Sequence, residues 1–290
     1  MADKILVTGA AGLLGADLVE YLKDNYNVIP ARRTDFDITD KAGSLELILS
    51  KRPGIVIHCA AMADVNACQK NSELAMAVNA DGAKNIALAC REIGCRMIHI
   101  STDYVFNGEK EVPYIEDDPP GPVNIYGESK LAGERYVSEI LPDAVILRVA
   151  WLYGLSGDSF VKRLIARGRD YLSLKENGQN PEPIRMVDDQ IGTPTRTDEI
   201  ARQIEIILLK KMVGLFHCTA AGGCSRYELA RLVFSIINLD IEVVPCKRQD
   251  FPDQAPRPRY SILENARLKK DDLDIMRDYG TTLIEFIKSL

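Results

Sequence analysis

The sequence predicts an α/β fold, a doubly wound parallel sheet of the Rossmann type with a smaller C-terminal lobe. Short runs rich in Val and Ile alternate with longer helical stretches through the first 150 of the 290 residues. These runs are almost continuously apolar, which is typical of strands that helices bury on both faces. Alternation of this kind favours parallel strands joined by right-handed crossovers.

The N-terminal half, residues 1–150, contains five predicted strands and four predicted helices. The strands are Lys4–Thr8, Asn27–Ala31, Gly54–Ala60, Arg96–Ser101 and Ala144–Val149, and the helices lie at about 13–25, 40–51, 72–93 and 126–140. We expect these elements to form one domain with a single sheet.

The pattern loosens after Val149, and residues 151–290 are predicted to form the smaller lobe, with some elements returning to the main sheet. Helices are predicted at about 157–169, 197–211, 225–238 and 281–289, and short strands at Tyr171–Leu174, Gly214–Cys218 and 241–245. Three prolines within 249–260 predict an ordered loop there.

Composition and charge exclude several classes of function. The net charge is −6, whereas binding to nucleic acid or to an anionic membrane requires a basic face. No apolar run reaches the roughly 18 residues that a bilayer span needs. The cysteine count is odd, no CxxC occurs and the N-terminus lacks the pattern of a secretory signal. We therefore expect reduced thiols, a cytoplasmic location and no nucleic-acid or membrane partner.

The three histidines give no indication of a metal site. His58, His99 and His217 each lie inside an apolar, strand-like run. No HxxxH or HExxH spacing occurs, so we predict packed core histidines and no bound metal.

The first strand continues directly into a glycine-rich turn, Gly9-Ala10-Ala11-Gly12-Leu13-Leu14-Gly15. Glycine at such a turn lets the backbone approach a pyrophosphate, and the N-terminus of the next helix offers free N–H groups and a positive dipole end. The position in the first strand-to-helix turn predicts a dinucleotide site, in which Gly9, Gly12, Leu13, Leu14 and Gly15 contact the cofactor. A purely structural turn is the alternative.

The end of the second strand indicates which dinucleotide is preferred. NAD sites carry an acidic residue about 20 residues after the glycine motif, where it holds the ribose 2′-hydroxyl. Here Arg32 and Arg33 follow Ala31, and two guanidinium groups suit a 2′-phosphate. We predict NADPH in preference to NADH, NADH remaining possible, and residues 1–150 as the NADP-binding domain. A solvated surface pair is the alternative.

A tyrosine, a lysine and a threonine form the candidate catalytic set. Tyr126 and Lys130 are four residues apart and share one helix face. A neighbouring ammonium is expected to lower the pKa of the phenol from about 10, which makes the pair a proton donor for a carbonyl oxygen. Thr102 follows the fourth strand, where doubly wound sheets bind their ligands, and can orient that carbonyl.

The GxxGxxG motif, the strand-end hydroxyl and YxxxK, in this chain order, resemble the extended short-chain dehydrogenase/reductase family. The resemblance implies that Tyr126 is the acid–base, that Lys130 also holds the nicotinamide ribose and that Thr102 positions the carbonyl. Further cofactor contacts that it implies come from Ala60, Ala61 and Ala63, from Asn79, and from Asp37 and Ile38 on the adenine side.

Longer segments narrow the resemblance to the dTDP-4-dehydrorhamnose reductases, along essentially the whole chain. They are STDYVF (101–106), NIYGESKLAGE (124–134), WLYG (151–154), DDQIGTPT (188–195) and RPR (257–259). Members of that family reduce the C4 ketone of dTDP-4-dehydro-L-rhamnose. The resemblance implies that Trp151 packs on the sugar, that Thr102, Asp103 and Tyr104 line its pocket, and that Arg257 and Arg259 clamp the diphosphate. Trp151 as a core aromatic and the arginines as solvated loop charges are the alternatives.

Differences from related families leave other possibilities open. Dehydratases of this fold carry Asp-Glu after the threonine, and here Asp103 is followed by Tyr104, so hydride transfer with one protonation fits better. Some family members form a metal-assisted dimer through a Glu where this chain has the shorter Asp17, so a homodimer is possible but open. The alternative functions are reduction of another 4-keto sugar nucleotide and a non-catalytic NADP-binding role, like that of the regulatory subunit of methionine adenosyltransferase.

Overall fold

A six-stranded parallel sheet lies at the centre of the structure, a computed structural model that describes residues 4–290. Residues 1–3, part of the N-terminus predicted to lack a secretory signal, lie outside the described residues. The strands are β1 (Lys4–Thr8), β2 (Asn27–Ala31), β3 (Ile55–His58), β4 (Arg96–Thr102), β5 (Val145–Val149), β6 (Leu152–Tyr153), β7 (Ile184–Val187), β8 (Ile191–Gly192), β9 (Thr195–Arg196), β10 (Gly214–His217), β11 (Cys224–Ser225) and β12 (Val243–Cys246). The helices are α1 (Leu13–Leu22), α2 (Lys41–Lys51), α3 (Val65–Lys70), α4 (Ser72–Met76), α5 (Gly82–Ile93), α6 (Ile125–Ile140), α7 (Phe160–Glu176), α8 (Thr197–Leu209), α9 (Arg226–Ile236), α10 (Ala266–Lys270) and α11 (Tyr279–Lys288).

The strand order of the central sheet is β2-β1-β3-β4-β5-β10, and every neighbouring pair is parallel. The predicted doubly wound parallel sheet is therefore confirmed. The chain leaves β1 toward β2 and then returns to the other side of β1 at β3. Ligands of such sheets bind beyond the carboxyl ends of the strands at this reversal of strand order. The sixth strand, β10, comes from the C-terminal half of the chain, and the division at residue 150 remains a prediction.

Helices cover both faces of this sheet, as the alternating side chains of β1 show. Ile5 and Val7 pack in one core cluster with residues of α1 and α8, whereas Leu6 packs in another with residues of α2 and α5. Successive strand residues point to opposite faces, so a continuous apolar run is buried on both sides. A third cluster joins α7, α9 and α11 beside the sheet.

The predicted strand Tyr171–Leu174 is wrong, because these residues continue helix α7. The buried positions of this helix are spaced at the helical period: Val161, Leu164, Ile165, Gly168 and Tyr171. Gly168 does not end the helix but packs against a ring, since a Cβ there would lie 2.7 Å from Cε1 of Phe234.

The predicted helix at 72–93 is interrupted. It consists of α4, a π-helical turn at Ala77–Asp81 and α5, and the short helix α3 precedes it. Within the described part of the chain, no helix combines the length and the apolar character that crossing a bilayer requires.

Candidate active site

The glycine turn after β1 adopts a conformation that only glycine accommodates at its closely packed positions. Gly9 has a φ of 68°, and a Cβ there would lie 2.7 Å from the backbone nitrogen of Ala60. A Cβ on Gly15 would overlap with the carbonyl oxygen of Gly9. Gly12 caps α1 without a side-chain hydrogen bond, so the N–H groups of the first turn stay available. The residues present therefore fit a bound pyrophosphate, because the glycines lack the side chains that would fill this space.

The predicted 2′-phosphate arginines lie beside this turn, at the surface. The backbone nitrogen of Ala10 donates a 3.2 Å hydrogen bond to the carbonyl oxygen of Ala31, which ties the turn to the end of β2. Arg32 and Arg33 follow and are exposed, and neither side chain forms an ion pair or hydrogen bond with residues 4–290. Their role in cofactor choice stays a prediction.

The two residues predicted on the adenine side differ in environment. Asp37 accepts hydrogen bonds from the backbone nitrogen and the hydroxyl of Thr39, and these bonds lower the pKa of its carboxyl group. Ile38 is buried in the core, where its side chain packs against Gly82.

The segment after β3 is held against the centre of the fold by Asn79. Its side-chain oxygen accepts a 2.8 Å hydrogen bond from the backbone nitrogen of Met62, and its amide donates to Oγ of Ser129 on α6 at 2.9 Å. Ala61 and Ala63 line the cavity described next, whereas the backbone of Ala60 packs against Gly9.

One cavity of about 550 Å³ joins the glycine turn to the candidate catalytic set. Gly9, Gly12, Leu13, Leu14 and Gly15 line one part of it, and Thr102, Tyr126 and Lys130 line another. The side chain of Asn124 accepts a 2.8 Å hydrogen bond from the backbone nitrogen of Gly127, which starts α6 one residue before Tyr126. Residues far apart in the chain thus meet around one space.

The protonation of this set differs from the expected one. Burial raises the pKa of Tyr126, and a hydrogen bond with Thr102 opposes that effect only in part. The Lys130 ammonium donates a 2.6 Å hydrogen bond to the carbonyl oxygen of Ile100, and burial lowers the pKa of Lys130 to about 8. The expected lowering of the phenol pKa by Lys130 is therefore wrong for this structure, because removal of the phenol from water is the largest effect on its pKa.

The buried histidines are core residues, as predicted. Nε2 of His99 lies 3.5 Å from Nζ of Lys130, and the ring of His58 stacks on that of His99. Nδ1 of His58 is 2.7 Å from the hydroxyl of Thr8 at the end of β1. Burial lowers the pKa of His58 to about 3 and also lowers that of His99 well below its usual value. Both imidazoles are therefore neutral at physiological pH.

Asp103 and Tyr104 line the cavity next to the catalytic set. Burial raises the pKa of Asp103 to about 6, although its carboxylate accepts hydrogen bonds from Ser261 at 2.6 Å and from Thr102 at 3.0 Å. The ring of Tyr104 meets that of Tyr126 edge-to-face, with 5.8 Å between the centroids. Tyr104 therefore borders the space in front of the phenol.

Trp151 lies under Arg226, an arginine that none of the sequence motifs includes. The guanidinium of Arg226 lies 3.4 Å from the centre of the Trp151 ring and 4.5 Å from that of Phe160. All three residues line the cavity. Burial lowers the pKa of Arg226 to about 10, so it is still a cation at neutral pH.

A family model described as the RmlD substrate binding domain matches residues 3–290. The chain belongs to this family. A dTDP-4-dehydrorhamnose reductase from Streptomyces griseus is 37% identical, with 98% of this chain and 93% of that protein covered. A dTDP-4-keto-6-deoxy-D-glucose reductase from Streptomyces niveus is also 37% identical, with 98% and 96% covered. The resemblance to these reductases is therefore confirmed.

A solved structure similar to this RmlD-family chain contains the expected cofactor. It is dTDP-4-dehydrorhamnose reductase from Bacillus anthracis in complex with NADP, which aligns with a TM-score of 0.94 at 35% identity. The alignment covers 100% of each chain.

The two loop arginines of this RmlD-family chain do not line the cavity. Arg257 donates hydrogen bonds to the carbonyl oxygen of Ala255 and the side chain of Gln254, both at 3.1 Å, and interacts with Tyr104, which lines the cavity. Arg259 is exposed, and its carbonyl oxygen accepts a 2.8 Å hydrogen bond from Ile191. Their contacts with a diphosphate stay predictions.

Asp17, the residue considered for a metal-assisted dimer, is bonded within the chain. Its carboxylate accepts hydrogen bonds from the hydroxyl of Thr197 and from the backbone nitrogen of Ser156. It thereby joins α1 to α8. Among residues 4–290, no group of three or more potential ligands could hold a metal ion.

Proposed function

We propose that this protein reduces the C4 ketone of dTDP-4-dehydro-L-rhamnose to the alcohol of dTDP-L-rhamnose, with NADPH as reductant. The observation that carries the proposal is that one cavity is lined both by the glycine turn and by Thr102, Tyr126 and Lys130. The relative from Streptomyces griseus, named for this reduction, supports the choice of reaction.

The chain's own groups would bind the cofactor at the edge of the sheet. The free N–H groups of the first turn of α1 would hold the pyrophosphate, and Arg32 and Arg33 the 2′-phosphate. NADPH, when bound, supplies the hydride for the carbonyl carbon. Lys130, with one hydrogen bond already given to Ile100, keeps donors for the nicotinamide ribose.

The proton for the carbonyl oxygen would come from Tyr126. Because burial raises its pKa, the phenol keeps its proton at neutral pH and can donate it as the oxygen gains negative charge. The hydroxyl of Thr102 donates to Asp103 in this structure and would turn its proton to that oxygen to orient it. One hydride and one proton convert the ketone to the alcohol, so the second carboxylate of the dehydratases is not needed.

The direct test mixes the purified protein with NADPH and dTDP-4-dehydro-L-rhamnose and follows NADPH absorbance. We expect stoichiometric NADPH consumption and dTDP-L-rhamnose as the product, identified by NMR. A parallel reaction uses dTDP-4-keto-6-deoxy-D-glucose, because the equally similar relative from Streptomyces niveus is named for that sugar. Faster turnover of this second sugar would reject our choice of substrate. Tight NADPH binding without turnover of either sugar would reject catalysis and favour a binding role.

A further inference from the structure

Arg226 presents an unused guanidinium to the cavity. It is the first residue of α9, and its guanidinium carbon lies over the rings of both Trp151 and Phe160, 3.4 and 4.5 Å from their centres. It forms no hydrogen bond and no ion pair with any residue in the described range 4–290. A guanidinium carries five N–H donors around its edge, and stacking on rings covers its faces while leaving that edge free. The arrangement holds a rigid set of donors in place for an acceptor.

The other cations that line the cavity already have partners. The Lys130 ammonium is bonded to the carbonyl oxygen of Ile100, and Arg163 pairs with Asp158. The carboxylate of Asp103 attracts Arg226 electrostatically, but its two oxygens accept hydrogen bonds from Ser261 and Thr102. Of the three cationic side chains that line the cavity, Arg226 is therefore the one best able to bind an anionic ligand.

We propose that Arg226 binds the diphosphate of the substrate, with Trp151 and Phe160 holding its guanidinium in position. The proposal rests on the proposed function and extends it, because it makes Arg226 the residue that selects nucleoside diphosphate sugars over uncharged sugars. It also changes the role expected for Trp151, since Arg226 covers a face of the ring. Tyr104 interacts with both Tyr126 and Arg226, so the sugar would extend past Tyr104 from the phenol to the guanidinium.

The test measures the binding of dTDP and of thymidine by calorimetry, with excess NADP⁺ present to occupy the cofactor's own pyrophosphate site. The key variant, Arg226→Met, keeps an unbranched apolar stem and removes the charged fork. We expect it to weaken dTDP binding by roughly 10- to 100-fold, as for lost hydrogen bonds to a charged group. Thymidine binding should change less than about threefold, because the nucleoside lacks the phosphates. Arg226→Lys should restore only part of the affinity, since an ammonium lacks the planar fork.

Two further variants make the result specific. Arg231→Met changes an exposed arginine on the same helix and should leave both affinities unchanged. Arg257→Met tests the competing loop arginine. The proposal is overturned if Arg226→Met leaves the ratio of dTDP to thymidine affinity unchanged. It is also overturned if Arg257→Met, and not Arg226→Met, abolishes the preference for dTDP over thymidine. Unchanged NADP⁺ affinity in Arg226→Met would show that the variant is folded.

The same measurements separate this inference from the proposed function. If the wild-type protein binds dTDP more tightly than Arg226→Met but does not oxidise NADPH in the presence of the sugar nucleotide, the anion site is supported and the reductase activity is rejected. A protein that turns over the sugar nucleotide while Arg226→Met keeps its KM and its dTDP affinity rejects the anion site alone.

Discussion

The ammonium of Lys130 donates a 2.6 Å hydrogen bond to the carbonyl oxygen of Ile100, two residues before Thr102 on β4. This bond fixes α6 to the end of a central strand. Tyr126 lies one helical turn before Lys130, so the same contact helps to place the phenol and the Thr102 hydroxyl along one cavity. A buried cation with so few partners should also leave a signature in the pH dependence of activity.

We expect kcat/KM for NADPH to fall as the pH rises through about 8. The pKa of Lys130 is lowered to about 8, so its ammonium is present below that pH and is lost above it. This ratio reports groups of the free enzyme. Lys130→Met should have a lower kcat/KM without this alkaline limb, whereas Lys84→Met on α5 should retain it. An alkaline limb that persists in Lys130→Met would assign the titration to another group.

Gly15→Ala should weaken NADPH binding by more than about tenfold. The added Cβ would overlap with the carbonyl oxygen of Gly9, and backbone can yield only by shifting the turn. Gly54→Ala is the matched control, because its Cβ would meet only Lys4 O at 3.9 Å. Fluorescence titration with NADPH compares the two variants, and equal affinities would show that the turn tolerates the change.

Glu134→Ala should lower the free energy of unfolding by about 3 kcal/mol, a typical cost of removing one partner of a buried ion pair. Glu134 accepts hydrogen bonds from Nε and Nη2 of Arg148 at 2.9 and 2.8 Å, and both residues are buried. The double variant Glu134→Ala/Arg148→Met should lose less than the sum of the single variants, because no charge is left unpaired. Urea unfolding measures all four proteins, and additive losses would mean that the pair contributes no coupling.

The local parts of the site could be predicted from the sequence. The glycine turn follows its strand directly, and Tyr126 and Lys130 are joined by helical spacing, so both depend on neighbours in the chain. The sequence predicts only in general terms that C-terminal elements return to the sheet, since pairing of β10 with β5 is a long-range contact. Family membership followed from motifs spread along the chain.

Other features depended on contacts between distant residues. Arg226 reads as an ordinary surface charge at the start of a helix until α9 is placed against Trp151, 75 positions earlier. The raised pKa of Tyr126 is likewise a consequence of burial that spacing does not reveal. Tyr171–Leu174 resembles a short strand in sequence, but these residues continue helix α7, which packs against α9.

Replacing both Arg32 and Arg33 by Ala should raise the KM for NADPH by roughly tenfold while leaving that for NADH nearly unchanged. Both side chains are exposed beside the glycine turn, and only NADPH carries the 2′-phosphate that they would bind. Arg91→Ala, which changes an exposed arginine on α5, should alter neither value. A wild-type protein that prefers NADH would contradict this role of the two arginines.

The central claim, that Tyr126 donates the proton in a cavity shared with the cofactor, is tested most directly by kcat of Tyr126→Phe. A positioned acid contributes on the order of 10²–10⁴-fold, so kcat should fall by that factor while NADPH affinity changes little. Tyr136→Phe, on the same helix but not lining the cavity, should keep the wild-type rate. Turnover near the wild-type value in Tyr126→Phe would contradict the account.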